Sequence, residues 1–322
     1  MSSKRWNTIA AVCRVVLGAT FVFSGFTKII DPWGTALQIS EYFSVWGLGT
    51  LGDVRFVLAI GLCAAELVLG LMLVAGIKTR LTSIAAVAVM ACFLVVTLLS
   101  ATVLPVADCG CFGEAVRLSP WASFGKNIVL AGLAVVVWWN ARGRLKILPI
   151  TAREWLVTAV FAVLAVGLGV YCLRHLPLID FLPYKKGVDL RAATQSDTDS
   201  DLRLREFTVF SDEAVVTGQV LGHEGRVYLI CALKLSDIGP RCEARLAEIA
   251  ARASSEGALV VCLTSSAIPE GGVVSLGGEP VAVYNLDPST MLTMLRAKVG
   301  VVVLDEGIIV SKHNCHEIYL IE

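Results

Sequence analysis

The chain has 322 residues, of which 56% are hydrophobic and 17% charged, with 27 Lys and Arg against 27 Asp and Glu. A composition this apolar, with a mean hydropathy of +0.74, excludes a protein that is water-soluble throughout. The balanced charge and the lack of any basic run exclude the electrostatic footprint of a nucleic-acid binder.

Apolar runs fall at about 8–30, 55–76, 81–104, 121–139 and 154–173. Each is close to the roughly 20 residues that cross about 30 Å of hydrocarbon, so five transmembrane helices in contact with a lipid bilayer are predicted. The first run is read as a span and not a signal peptide. It lacks a small-x-small cleavage site, and Arg14, Ser24 and Lys28 lie in or beside it. Between the first two runs, Asp31 to Asp53 holds Pro32, Trp33, Tyr42, Phe43 and Trp46, a density of aromatics that predicts a short helix in the outer interface. Glu66 falls in the middle of the second span. A carboxylate is expensive there unless paired or protonated, and Arg14 is the expected partner.

The loop between the third and fourth spans reads Asp108-Cys109-Gly110-Cys111-Phe112-Gly113-Glu114. A Cys-x-Cys pair closes a small, strained disulfide ring, which favours exchange over bracing. Gly110 removes a Cβ that would crowd the ring, and Gly113 lets the chain turn back. Asp108 and Glu114 flank the thiols with negative charge. A spacing of one residue with no histidine pair nearby is poor for zinc, so no metal is expected. In the fourth span, Lys126 and Asn127 read as interfacial anchors.

Cations concentrate on alternate loops: Lys4 and Arg5, then Lys78 and Arg80, then Arg142, Arg144, Lys146 and Arg153. The positive-inside rule then places the N-terminus in the cytoplasm, with the cysteine loop and everything after about residue 174 on the outer side. After the fifth span, a Pro- and aromatic-rich stretch from His175 to Leu190 and a polar, acidic stretch from Ala192 to Asp201 read as a linker.

Strands are predicted at Phe207–Phe210, Val215–Leu221, Val227–Ala232, Leu259–Leu263, Val281–Tyr284, Val301–Leu304 and Ile308–Ser311, with helices at Pro240–Ser254 and Pro288–Lys298. Asp237 is a candidate cap for the first helix, and Asp305-Glu306-Gly307 a candidate hairpin turn. This is an α/β pattern of thioredoxin-like order, long enough for its own core. Cys13, Cys63, Cys92, Cys231 and Cys262 lie in apolar contexts and read as small buried hydrophobes. Cys242 reads as a lone cysteine at a helix start, and His313, Cys315 and His316 as a solvated cluster.

The first half resembles the DoxX-like membrane proteins, most closely the MauE branch associated with methylamine utilisation. The resemblance is carried by Arg14, Leu17, Gly18, Ser24, Gly25 and Lys28, by Glu66, Gly70 and Gly76, and by DCGCFGE followed by Pro120, Trp121, Phe124, Lys126 and Asn127. It implies support for disulfide formation in an envelope partner, or membership of a membrane redox complex. The second half resembles a periplasmic thioredoxin-like extension, though no Cys-x-x-Cys opens its first helix and Val299-Gly300 stands where such a domain places a proline. Dithiol activity is therefore not expected there.

The expected architecture is a four-helix membrane domain over residues 1–150, a fifth transmembrane helix with linker over 151–204, and a thioredoxin-like periplasmic domain over 205–322. The leading expectation is an inner-membrane thiol–disulfide redox protein. In it Cys109 and Cys111 exchange with a protein partner, and electrons pass to a membrane acceptor, a quinone being the candidate, near Glu66 and Arg14. The alternative is a scaffold that binds its partner through a redox-inactive C-terminal domain. A solute transporter is disfavoured by the lack of an inverted repeat.

Overall fold

In the computed structural model, residues 3–103, 110–142, 152–195 and 202–321 are described. Arg144, Lys146, Asp108, Cys109 and residues 196–201 fall outside them. The chain forms two compact units, Met1–Leu173 and Arg174–Glu322.

Among the described residues the first unit contains six helices: α1 (Ser3–Ile29), α2 (Pro32–Val45), α3 (Val54–Ala75), α4 (Thr79–Thr102), α5 (Pro120–Arg142) and α6 (Ala152–Arg174). All but α2 are long and apolar enough to cross a membrane. The protein is therefore a multi-pass membrane protein. Its outward side chains, such as Val57, Val163 and Leu164, suit hydrocarbon.

Glycines bring α1 and α3 together. A Cβ on Gly25 would stand 2.5 Å from the backbone nitrogen of Leu67, one on Gly70 2.5 Å from that of Val22, and one on Gly18 2.9 Å from that of Val74. The two backbones touch, as small residues allow in membranes where lipid offers no hydrophobic drive between helices. The matched positions run in opposite directions along the two helices, so the pair is antiparallel. That register brings residue 66 beside the end of α1 that carries Lys28.

Leu17, Phe21, Leu69, Leu73, Met90, Leu130 and Ala134 form one core among α1, α3, α4 and α5. Ala165 and Cys172 of α6 join Ile29, Ile30, Ile60 and Leu67 in another. The helix expected between the first spans is α2. Asp31 caps it, accepting from the Gly34 amide at 2.9 Å, and Pro32 opens it. Trp33 of α2 stacks edge-on against Phe56 of α3. Cys63 is buried as expected, but Cys92 is exposed on the outer surface of the bundle.

The second unit is built on a six-stranded sheet in the order β3-β4-β2-β1-β5-β6. Its strands are β1 (Arg226–Ala232), β2 (Leu259–Thr264), β3 (Val273–Leu276), β4 (Glu279–Asn285), β5 (Val299–Asp305) and β6 (Ile308–Asn314). β1, β2 and β4 run parallel, while β3, β5 and β6 pair antiparallel to their neighbours. Short helices α7 (Leu190–Gln195), α8 (Leu202–Arg205) and α9 (Thr217–Leu221) precede β1, α10 (Pro240–Glu256) follows it, and α11 (Pro288–Leu295) precedes β5.

Both sheet faces are covered. Tyr228, Ile230, Val301 and Val303 meet Leu246, Ile249 and Ala250 of α10 on one side. Leu229, Cys231, Val302 and Leu304 meet Tyr184, Leu190, Phe207 and Met291 on the other. Double burial explains why β1 reads as an unbroken apolar run.

Several expectations are corrected. The stretch from His175 to Leu190, read as linker, supplies the fully buried Tyr184 and Leu190 to the core. Val215–Leu221 is not a strand. Val215 makes only an isolated bridge to Phe210, and Thr217–Leu221 is helical, with the Thr217 hydroxyl accepting from the Val209 amide at 2.8 Å. Phe207–Phe210 contributes only that bridge and one to Asn285. β3, between the Gly271-Gly272 and Gly277-Gly278 pairs, went unpredicted. Gly239, and not Asp237, occupies the N-cap of α10.

Candidate functional site

The polar centre of the membrane unit follows from the α1/α3 register. Lys28 Nζ donates to both carboxylate oxygens of Glu66, at 2.8 Å each, and the two side chains are only 7% and 2% exposed. Burying two ions is tolerable only in such close contact. Lys28 also stands 5.5 Å from the centre of the Phe93 ring.

Arg14 does not pair with Glu66. It lies 14 residues before Lys28 on α1, about 21 Å along the helix. There its guanidinium covers Gly76, where a Cβ would fall 2.1 Å from Nη1. The antiparallel register sends position 14 to the far end of α3. Arg14 lines a separate polar cleft with Asn7, Thr79 and Asn140.

The cysteine loop connects to the ion pair through one hydroxyl. Ser24 Oγ lies 2.7 Å from Glu66 Oε2 and 2.6 Å from the carbonyl oxygen of Cys111. A serine hydroxyl carries one proton to share between these two acceptors.

The loop is laid back over α1 and α2. Gly110, with φ +53°, packs where a Cβ would strike the Gln38 side chain, and Gly113, with φ +56°, rests against the Thr27 carbonyl. The Gly113 amide donates to the Gly110 carbonyl at 3.1 Å, closing a turn around Cys111. Phe112 packs on Phe23, with ring centres 5.4 Å apart, and Lys126 lies 4.2 Å over the Phe112 ring. Glu114, expected to act as free negative charge, forms an ion pair with Arg117 at 2.8 Å.

Cys111 is a partly buried free thiol. With Ser24, Phe93, Lys126, Asn127 and Met90 it lines a narrow cleft. Asn127 is not an interfacial anchor. It is buried and donates from Nδ2 to Thr97 Oγ1 at 3.4 Å. The cleft has room for about one water molecule, too little for a quinone ring. Cys109, the other expected exchanging thiol, lies outside the described residues. Among the described residues no cluster of His, Cys, Asp and Glu could hold a metal.

In the second unit, Cys242 and Cys315 form a disulfide. The sequence does not connect them, since 73 residues separate the two; β5 and β6 return the chain to α10 and bring them together. Burial raises the thiol pKa of Cys262 to about 12 and pushes that of Cys231 up as well, with the nearby Cys262 adding to the latter. Both are inert core thiols.

An intramembrane Lys–Glu pair tied by a hydroxyl to a cysteine loop defines a multi-pass membrane protein with a polar centre next to a thiol. Residues 6–140 match the family model described as methylamine utilisation protein MauE, so this part of the chain is similar to that family. No curated protein and no solved structure matches the chain.

Proposed function

We propose that this protein is an accessory membrane protein of methylamine utilisation that performs thiol–disulfide exchange at the Cys109/Cys111 loop on behalf of an envelope protein. In the oxidised loop, a client thiolate attacks one sulfur and displaces the other as thiolate. The client's second thiol then resolves the mixed disulfide. The client leaves with a disulfide and the loop as a dithiol, so two electrons and two protons pass to the loop. Cys111 as a free thiol corresponds to the product state.

The observation that carries this reading is the Ser24 hydroxyl, shared between Glu66 and the Cys111 carbonyl. It joins the thiol loop to the buried Lys28–Glu66 ion pair. Lys126 at the cleft adds a positive charge that favours an approaching thiolate.

Our reading places the N-terminus in the cytoplasm of an inner-membrane protein and the second unit outside. Two independent features support that orientation. Lys4, Arg5, Lys78 and Arg80 mark one side of the bundle. The Cys242–Cys315 disulfide suits an oxidising compartment. The β1–α10–β2 unit and the β5–β6 hairpin support a thioredoxin-like reading of the second unit.

The test is Cys111→Ser in the native host, read as the disulfide content of the envelope methylamine-oxidising proteins. We expect normal membrane levels of the variant and loss of client disulfides. Full client oxidation in Cys111→Ser would reject exchange and leave a scaffold role.

A further inference from the structure

We propose that Cys242 and Cys315 form a second thiol–disulfide exchange site, whose substrate is a protein dithiol, with Cys315 the sulfur attacked and Cys242 the leaving thiolate. This goes beyond the exchange proposed for the Cys111 loop and does not depend on it.

The two sulfurs have unequal access. Cys242 is 4% exposed and packed among Leu246, Ile249 and Val299, whereas Cys315 is only partly buried at the edge of that core. An incoming thiolate therefore meets Cys315 first. The leaving sulfur sits in the first turn of α10, a 17-residue helix that begins at Pro240 after the N-cap Gly239. Amide dipoles at a helix N-terminus stabilise a thiolate there, and a better leaving group exchanges faster.

The surroundings hold Cys315 in place and leave room beside it. Its amide donates to the Val299 carbonyl at 3.1 Å, and its carbonyl accepts from Arg245 Nη1 at 2.9 Å. The same Arg245 Nη1 also donates to the His316 carbonyl at 2.9 Å. Arg241 is exposed on the same turn, with carboxylates at Glu243 on that turn and at Glu317 two residues after Cys315. Next to Arg245 stands Tyr319, 70% exposed, with Gly239 and Pro240 open on the helix side. An exposed aromatic and a bare Gly-Pro edge beside a disulfide suit an extended peptide carrying a cysteine. The other described thiols of this unit, Cys231 and Cys262, are sealed in the core and do not compete.

The exchange balances as written. The substrate thiolate bonds to Cys315 Sγ as the Cys242–Cys315 bond breaks, and Cys242 departs as thiolate. The second substrate thiol, giving up its proton to solvent, attacks the substrate sulfur and displaces Cys315 as thiolate. The substrate is oxidised to a disulfide and the pair is reduced to two thiols, which take up two protons.

The test uses the full-length protein in detergent, oxidised, and reduced glutathione as probe. Samples are quenched in acid, alkylated and mapped by mass spectrometry, while hydrogen exchange follows β1 and β5. We expect a glutathione mixed disulfide on Cys315 in roughly tenfold excess over Cys242, followed by the free dithiol, with protection of β1 and β5 unchanged. A pair that stays oxidised until the unit is denatured, or that reduces only as protection is lost, would make it a brace and overturn the proposal. A mixed disulfide mainly on Cys242 would overturn the assigned roles.

Discussion

Removing the Glu66 carboxylate should be among the most damaging single changes in the membrane unit. Glu66 accepts two bonds from Lys28 and is in contact with Ser24, and it is 2% exposed. In Glu66→Ala the Lys28 ammonium stays buried without a counter-charge, a situation that costs about 3–5 kcal/mol in folded proteins. A neutral interhelical hydrogen bond inside a membrane is worth only about 0.6 kcal/mol on average, so the size of the loss separates an ion pair from a simple polar contact. Glu66→Gln keeps an oxygen to accept from Lys28 and should lose less, about 1–3 kcal/mol. Replacing both partners with methionine removes the stranded charge and should return the protein to within about 1 kcal/mol of the parent. The assay is unfolding of the micellar protein by titrated dodecyl sulfate, followed by tryptophan fluorescence. A loss below about 1 kcal/mol in Glu66→Ala, or a double variant as unstable as the two single losses combined, would refute the buried ion pair.

Two further outcomes test other parts of the fold. Gly25→Ala would put a Cβ 2.5 Å from the Leu67 nitrogen and should force α1 away from α3, at about 1–3 kcal/mol, measured by the same titration; an unchanged midpoint would show that the two backbones do not touch. Burial pushes the Asp287 carboxyl up, but hydrogen bonds from the side chain of Ser289 and from the Thr290 amide outweigh this and hold it below the usual carboxylate range. The stability it contributes as the cap of α11 is therefore full above about pH 4 and fades as pH falls through its lowered value. Asp287→Ala should cost about 1 kcal/mol at neutral pH and progressively less in acid, read by hydrogen exchange of α11. A cost that grows on acidification would contradict the assignment.

The five spanning helices were legible because length and hydropathy are properties of consecutive residues, and the bilayer's thickness turns them into a count. The cysteine loop was equally visible as a local string. The strands at Val227, Leu259, Val281, Val301 and Ile308 could be read for the same reason, each being a short run bounded by turn residues. Val215–Leu221 could not, because its β-branched residues favour a strand while the chain turns helical at Thr217, whose hydroxyl accepts from the Val209 amide.

Pairings across the chain belonged to tertiary structure. Glu66 announced itself as a buried carboxylate, yet Arg14 and Lys28 were both cations on the same helix. Only the antiparallel contact of α1 with α3, set by Gly18, Gly25 and Gly70, decided for Lys28 and sent Arg14 to Gly76. Likewise Cys242 and Cys315 were separate marks in the sequence, and strand pairing of β5 with β1 and β6 made them neighbours. A sequence fixes which side chains want a partner through their charge, polarity or thiol. Which partner they meet depends on helix register and strand order, which no local run of residues encodes.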